Sequence, residues 1–474
     1  MSEAKKLQAH PDRLFPAEAN ARAAAREIYA GVKDLPIISP HGHVPIQWLT
    51  YDIPFSDPTS LLITPDHYVN RMMHANGVPL SELGVGVPAG SMSEADNRRA
   101  FKHLCSHWKD YYGTPVRFWL ESELVEIFGI TTVPSAETSD AIYDQINAAL
   151  ATDAYRPRAL WDRFKIEFIA TTDDPCDSLD DHVKLANDPA WKGRAVPTFR
   201  PDRYLEPARA DWVSLVGDLG RVADVDTGSY DGYVEAMRLR RLYFKERGAV
   251  STDHSHVDAG TLRLDLSEAR RIYADALRGQ ASPEECHALQ RHLLNDQARL
   301  AVEDGLVMTL HPAVVRNHHQ PTFEKYGADV GADIPMSVEF ARGLQPMLND
   351  YGTAEGFHLV VFTMDETVYS RELAPLAGFY PSVYVGAPWW FIDEADAISR
   401  FRRSVTGAAG FTRTSGFIDD TRAYLSIPAR HDMSRRLDCG YLGNLVAEHR
   451  LTLDEAVDVA YDLVVTQPKK VFKL

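Results

Sequence analysis

Leu35-Pro36-Ile37-Ile38-Ser39-Pro40-His41-Gly42-His43-Val44 is the stretch on which the fold turns. An apolar run leads into two histidines separated by one residue. Side chains one apart in a strand alternate faces and those two apart share one, so His41 and His43 can converge on a common ligand at a strand end. Gly42 between them lets the backbone bend as the strand opens into a loop. The plainer reading is two loop histidines with no shared task, and the tripeptide is too short to decide. What the other strand ends offer decides it.

After residue 160, short apolar runs with polar tips alternate with helical stretches. The runs are Ile166 to Thr171, Ala195 to Phe199, Ala249-Val250, Leu306 to Leu310, Leu359 to Met364, Val383 to Val385 and Gly416 to Ile418. Their tips are Thr172-Asp173-Asp174-Pro175, Arg200-Pro201-Asp202, Ser251-Thr252-Asp253-His254, His311-Pro312, Asp365-Glu366, Gly386-Ala387-Pro388-Trp389-Trp390 and Asp419-Asp420-Thr421-Arg422. Helices are predicted over 16–33, 101–112, 141–151 and 231–247, the last stopped by Gly248. Ser282-Pro283-Glu284-Glu285 and Thr452-Leu453-Asp454-Glu455 read as capping boxes. With the first strand, eight strand-plus-tip units predict an α/β fold closed as a (β/α)8 barrel, whose active site gathers at the C-terminal strand ends. An open doubly wound sheet is the alternative. Residues 45–160 show helical segments and no buried strand. The expected organisation is therefore a barrel from 1–44 and 161–474 with a helical insertion at 45–160.

Composition narrows the function classes. The 474 residues are 45% apolar and 25% charged, with 50 basic and 67 acidic side chains and a net charge of -17. That balance argues against nucleic acid or an anionic membrane surface as partner. No stretch approaches the roughly 20 apolar residues of a membrane helix, and Met1 to His10 is polar, so a cytoplasmic protein is expected. Cys105, Cys176, Cys286 and Cys439 lack metal-type spacing and read as reduced thiols.

The strand tips carry the chemistry: His41 and His43, Arg200, His254, His311, and Asp420 with Arg422. Histidines with a carboxylate suit a first-row divalent cation, Zn²⁺ among them. Any one of these histidines could be a core residue satisfied by a backbone partner, but their joint placement at strand tips points to a site. Arg200 and Arg422, with Arg71 and Arg316 near them, predict a locally positive pocket able to take a carboxylate in a bidentate fork. The competing role for each arginine is a local ion pair, for instance with Asp202 or Asp420.

Taken together, several motifs resemble one family. They are His41-x-His43, Asp66-His67-Tyr68 with Arg71, Thr172-Asp173-Asp174-Pro175, Phe199-Arg200-Pro201-Asp202 and Ser251-Thr252-Asp253-His254. His311 with Arg316-Asn317, Trp389-Trp390-Phe391, and Asp420-Thr421-Arg422 running on to Arg430-His431 complete the set. The chain resembles the uronate (glucuronate) isomerase family of the amidohydrolase superfamily, in order and over nearly its whole length. The resemblance implies a distorted (β/α)8 TIM barrel with a helical insertion after strand one. It implies one divalent metal ion, expected to be Zn²⁺, on His41, His43 and Asp420, with His311 beside it. It implies a sugar acid contacted by His67, Tyr68, Arg71, Arg200, His311 and Arg422, with Trp389 and Trp390 at the pocket. The implied reaction is interconversion of D-glucuronate with D-fructuronate, and of D-galacturonate with D-tagaturonate. Asp420 is expected as the base and Tyr68 or His67 as the proton donor. A homo-oligomer is expected.

Two departures from the family pattern concern pocket shape and not the ligands: Ser39-Pro40 before the first histidine with Gly42 after it, and Ile427-Pro428-Ala429-Arg430-His431 after strand eight. Many amidohydrolase relatives bridge two metals through a modified lysine at strand four. Here that strand ends Thr252-Asp253-His254 and the nearest upstream lysine, Lys245, falls in the preceding helix, so a single metal follows more naturally. The rival functions are a mononuclear metal-dependent hydrolase using the same ligands on water, and a non-catalytic sugar-acid-binding protein.

Overall fold

The computed structural model describes residues 6–88 and 90–474; the first five residues of the polar start lie outside them. It has an α/β architecture built on parallel strands. In chain order these are β1 Ile37–Ser39, β2 Ile166–Ala170, β3 Arg194–Val196, β4 Ser251–His254, β5 Val307–Leu310, β6 Leu359–Val361 and β7 Val383–Val385. One parallel sheet has the order β1-β2-β3 and a second the order β4-β5-β6-β7. Val307–Leu310, Leu359–Val361 and Val383–Val385 are buried along their whole length and nearly all apolar, the pattern of a parallel sheet covered on both faces, whereas β4 is buried but polar, Ser-Thr-Asp-His.

Single contacts stitch the two sheets together. Phe199 bridges in parallel to both Asp173 and Thr252, and the Asp253 N–H donates to the Phe199 carbonyl at 2.9 Å. Beyond β7, Val385 bridges Thr414, and the His43 N–H donates to the Thr421 carbonyl at 3.0 Å. The last segment thus runs from the edge of one sheet to the edge of the other.

Three expected strands differ, each for a local reason. The third is shorter than Ala195 to Phe199 because Pro197 has no N–H for the ladder. The eighth, expected over Gly416 to Ile418, is reduced to the bridge at Thr414. Gly416 sits at φ +77°, where a Cβ would lie 2.7 Å from Pro468 Cδ, so the chain turns out of the ladder to pass the C-terminal helix. The fourth begins at Ser251 and not at Ala249, with a consequence for the site. An unexpected two-stranded antiparallel ribbon pairs Val314–Val315 with Ile334–Pro335 beyond β5.

Three of the four expected helices match their periodicity; at 101–112 the helix is Glu94–Ser106, followed by a short 3-10 turn Trp108–Tyr111. The Ala-rich segment forms Ala19–Val32, burying Ala21, Ala25, Ile28 and Val32. It packs against Ile427–Ala447, where Gly443 allows close approach; a Cβ there would lie 2.5 Å from the Ala21 carbonyl. Tyr230–Glu246 ends before Gly248 at φ +93°. Both capping boxes are present, at Ser282 and Thr452. Between β1 and β2 the regular elements over 46–163 are all helical. Their apolar side chains, among them Val69, Trp119 and Ile146, share one core cluster with Ile37, Val307 and Val360 of the strands. No helix among the described residues is long and apolar enough to cross a membrane.

Candidate active site

A cavity of about 600 Å³ opens at the C-terminal ends of the strands, lined by His41, His43, His67, Tyr68, Arg200, His311, Trp389, Trp390, Asp420 and Arg422 among others. The chain between His41 and Arg422 spans most of the sequence, and the parallel strands bring these tips to one end.

His41 is buried and His43 half-buried just past β1, and both aim Nε2 at one carboxylate oxygen. Asp420 Oδ1 lies 3.3 Å from His41 Nε2 and 2.9 Å from His43 Nε2. Asp420 is held at φ +43°, a left-handed conformation that costs energy for a residue with a Cβ and is typical of functional sites. Burial alone would raise its pKa, but His41 and His43 more than offset this and hold it well below the usual carboxylate range.

These donors fit a divalent cation. Asp420 Oδ1 is buried without a hydrogen-bond partner despite its two close nitrogens. Three ligand atoms spaced about 3.3 Å apart are what bonds of about 2.0–2.1 Å to one tetrahedral ion produce. His311 stacks on His41 with centroids 4.7 Å apart, and its Nε2 is also buried and unpartnered. Its Nδ1 lies 2.7 Å from Asp253 Oδ1, so Asp253 sets the ring orientation, the carboxylate–histidine pairing common behind metal ligands.

Asp253 was not singled out by sequence; His254 was. With β4 beginning at Ser251, the period-two alternation puts Asp253 on the cavity wall and turns His254 away from it. Burial opposes ionisation of Asp253, but Arg200, His311 and His41 hold its pKa well below the ordinary value.

The helical stretch contributes the opposite wall. Asp66 caps the helix His67–Ala75 by accepting from the Tyr68 N–H at 2.9 Å, which sets His67 and Tyr68 at its first turn. The Tyr68 hydroxyl donates to Asp393 Oδ2 at 2.8 Å, and Arg430 Nη1 donates to the same oxygen at 3.1 Å. Burial, then the Asp393 carboxylate, pushes the phenol well above its ordinary pKa. Burial and then Arg422 drive His67 down to about 3, so its imidazole is neutral near pH 7. His67 stacks on Tyr68 at 5.1 Å and lies 5.3 Å from Trp390. Asp393 follows Trp389-Trp390-Phe391 in sequence, where an acid just beyond an aromatic tip is the signal that could have marked it.

The arginines occupy a more balanced field than expected. Arg200, Arg203, Arg209, Arg316 and Arg422 line the cavity, but so do Asp66, Asp202, Glu206, Asp253, Asp329 and Asp420. Arg200 Nε lies 3.2 Å from Asp202 and 3.4 Å from Asp253, and Arg422 pairs with Asp329 at 2.8 Å. A locally positive pocket is therefore replaced by paired charges, because a guanidinium taken out of water needs a partner. Asp329, also at positive φ, belongs to the loop closed by the ribbon and had no sequence signal. Arg71 departs from expectation: it lines a neighbouring cavity, its guanidinium 4.6 Å over Phe391. The guanidinium is held by the aromatic faces of Phe391 and, at 5.8 Å, Tyr68. Lys245 reaches the Asp304 carbonyl instead of any strand tip.

A profile of the glucuronate isomerase family matches residues 18–472. The chain is 57% identical to a uronate isomerase of Cutibacterium acnes over 463 residues, 98% of each chain. The chain belongs to the glucuronate isomerase family. Among solved structures, a glucuronate isomerase from Caulobacter crescentus superposes with a TM-score of 0.96 at 43% identity, covering 99% of this chain and 97% of that one. A uronate isomerase from Thermotoga maritima gives 0.91 at 27% identity, covering 98% and 99%. Membership over the full length makes the chain an isomerase and sets aside the hydrolase reading of the same ligands.

Proposed function

We propose that this chain interconverts the aldose D-glucuronate and the ketose D-fructuronate, with D-galacturonate and D-tagaturonate as a second pair. The observation that carries the chemistry is the meeting, in one cavity, of the His41-His43-Asp420 donor set and Tyr68, whose hydroxyl is held from behind by Asp393. The two sheets and the 414–421 segment are read as one distorted (β/α)8 barrel, with 45–160 as an insertion that supplies His67 and Tyr68.

The reaction moves hydrogen from C2 to C1 and a proton from the C2 oxygen to the C1 oxygen. The C2 proton is weakly acidic, so a base must act while enediolate charge is stabilised. A divalent cation held by His41, His43 and Asp420, with Zn²⁺ the expected one, would supply Lewis-acid polarisation of a substrate oxygen. Asp420 takes the C2 proton and returns it to C1. Tyr68 gives its hydroxyl proton to the C1 oxygen and regains one from the C2 oxygen. The Tyr68 phenol is a reluctant acid beside Asp393, and Arg430, 4.9 Å over its ring, favours the transient phenolate. His67, neutral, donates one hydrogen bond to the open-chain sugar. Arg200 and Arg422 exchange part of their contacts with Asp202, Asp253 and Asp329 for the substrate carboxylate. Trp389, which packs edge-on to His311 at 4.7 Å, and Trp390 exclude water from the enediolate.

The experiment is ketose formation from each uronate, before and after chelation. Ketose from at least one sugar is expected, reduced after chelation. No ketose from either would overturn the reading.

A further inference from the structure

Outside the cavity wall, β4 ends in a second His-x-His that the isomerase chemistry does not use. His254 is fully buried and His256 is 5% exposed. One ligand atom each from His254, His256 and Asp202 lies within 4.8 Å of the others. Asp202 comes from the short helix Asp202–Leu205 that follows Arg200.

The hydrogen-bonding pattern is what demands an occupant. His254 Nε2 is engaged by Thr252 Oγ1 at 3.1 Å, leaving Nδ1 buried with no partner. His256 Nδ1 is engaged by the Gln290 side-chain amide at 3.2 Å, leaving Nε2 buried with no partner. The unpartnered His256 nitrogen lies 3.7 Å from Asp202 Oδ1, too long for a hydrogen bond and close to a ligand–ligand edge. A buried polar atom left unmet is costly; here there are two on neighbouring residues, and the His256 one faces the Asp202 carboxylate. A protonated His256 would gain charge attraction from Asp202 and Glu206, 3.7 Å on either side, but would leave His254 Nδ1 orphaned. A cation with affinity for imidazole and carboxylate satisfies both.

We propose that His254, His256 and Asp202 form a second cation site for a first-row divalent transition metal of the Zn²⁺ or Co²⁺ type. Two imidazoles and a carboxylate are the donors such ions select, and Thr252 and Gln290 hold the far ring nitrogens as outer partners do. The site is separate from the one at His41 and shares no ligand with it, so it is not a bridged pair. Its role is to brace the end of β3 to the end of β4, steadying Asp202, which in turn holds Arg200.

Crystals of the wild-type protein soaked with Co²⁺ would test this directly by anomalous scattering. A peak among Asp202, His254 and His256, in addition to any at His41, is the expected result; no peak there overturns the proposal. In solution, Co²⁺ titration of the wild type should reach two equivalents, with His254→Asn and His256→Gln each losing one. The equivalent that depends on Asp420 serves as the internal measure of correct folding. Two equivalents persisting in both variants, or a single one in the wild type, would also refute the site.

Discussion

The ends of β1 and β4 carry the same three-residue pattern and use it differently. At β1, His41 and His43 open into the large cavity and meet Asp420 from the far end of the chain. At β4, His254 and His256 face away from that cavity and meet Asp202 from the preceding strand's loop. The phase of the strand makes the difference. β1 ends at Ser39, before its histidines, whereas β4 runs through His254, so there it is Asp253 that faces the reactants. A His-x-His at a strand end thus brings two imidazoles to one carboxylate in either place, and what differs is the space in front of it.

The comparison breaks most sharply at Asp420. Asp420→Asn keeps the shape but removes the base and the anionic ligand, and kcat should fall by about 10³-fold, within the range for a general base. The loss should come with loss of the cation at the β1 end alone. Steady-state ketose formation with elemental analysis checks this; near-normal turnover with full metal content would remove Asp420 from both roles. The next largest effect is expected at Tyr68. Tyr68→Phe deletes the hydroxyl that Asp393 accepts from, and kcat should drop by about 10²-fold with KM changed less than about threefold. An equal rise in KM would instead make the hydroxyl a binding group.

The outline of this site was legible because its strongest members fall at the ends of apolar runs in the sequence: His41, His43, Arg200, His311, Asp420 and Arg422 all line the cavity, although the run before Asp420 forms no strand. What was not legible depends on one-residue phase or on tertiary loops. Ala249-Val250 reads as the strand on hydrophobicity, yet only the Val250 carbonyl joins the ladder, accepting from the Val307 N–H at 2.9 Å, and the paired residues run from Ser251 to His254. Asp329 and Asp393 lie in irregular backbone near Trp390 and Phe391, both at positive φ, a conformation that propensity does not foresee in aromatic residues. Arg71 was misplaced because spacing puts it on the face of His67 but says nothing of where a long side chain ends.

Comparing the two histidine pairs by pH requires knowing what else titrates. Glu123, buried in the helical segment, is pushed up to about 8 by burial and then by Asp66. Folded protein therefore keeps this proton between the ordinary carboxyl range and about pH 8, while the unfolded chain has lost it. Stability must fall as pH rises through that window. Glu123→Gln should recover an amount on the order of a few kcal/mol at pH 8.5 and little at pH 5. Denaturant midpoints at the two pH values read this out, and parallel pH slopes for variant and wild type would show that Glu123 ionises normally.

The smallest effect is expected between the two histidines themselves. Gly42 was expected to be needed for backbone freedom, but its φ is not in the left-handed range, and an added Cβ would meet nothing nearer than the Ala170 carbonyl at 3.5 Å. At β4 the equivalent position is Ser255, which carries a side chain without disturbing its neighbours' approach to Asp202. Gly42→Ala should thus change kcat by less than about threefold and stability by under about 1 kcal/mol, the sign favouring alanine through the unfolded chain. A large loss would mean that the β1 end must flex during turnover in a way the β4 end does not, and the likeness of the two ends would then stop at their ligands.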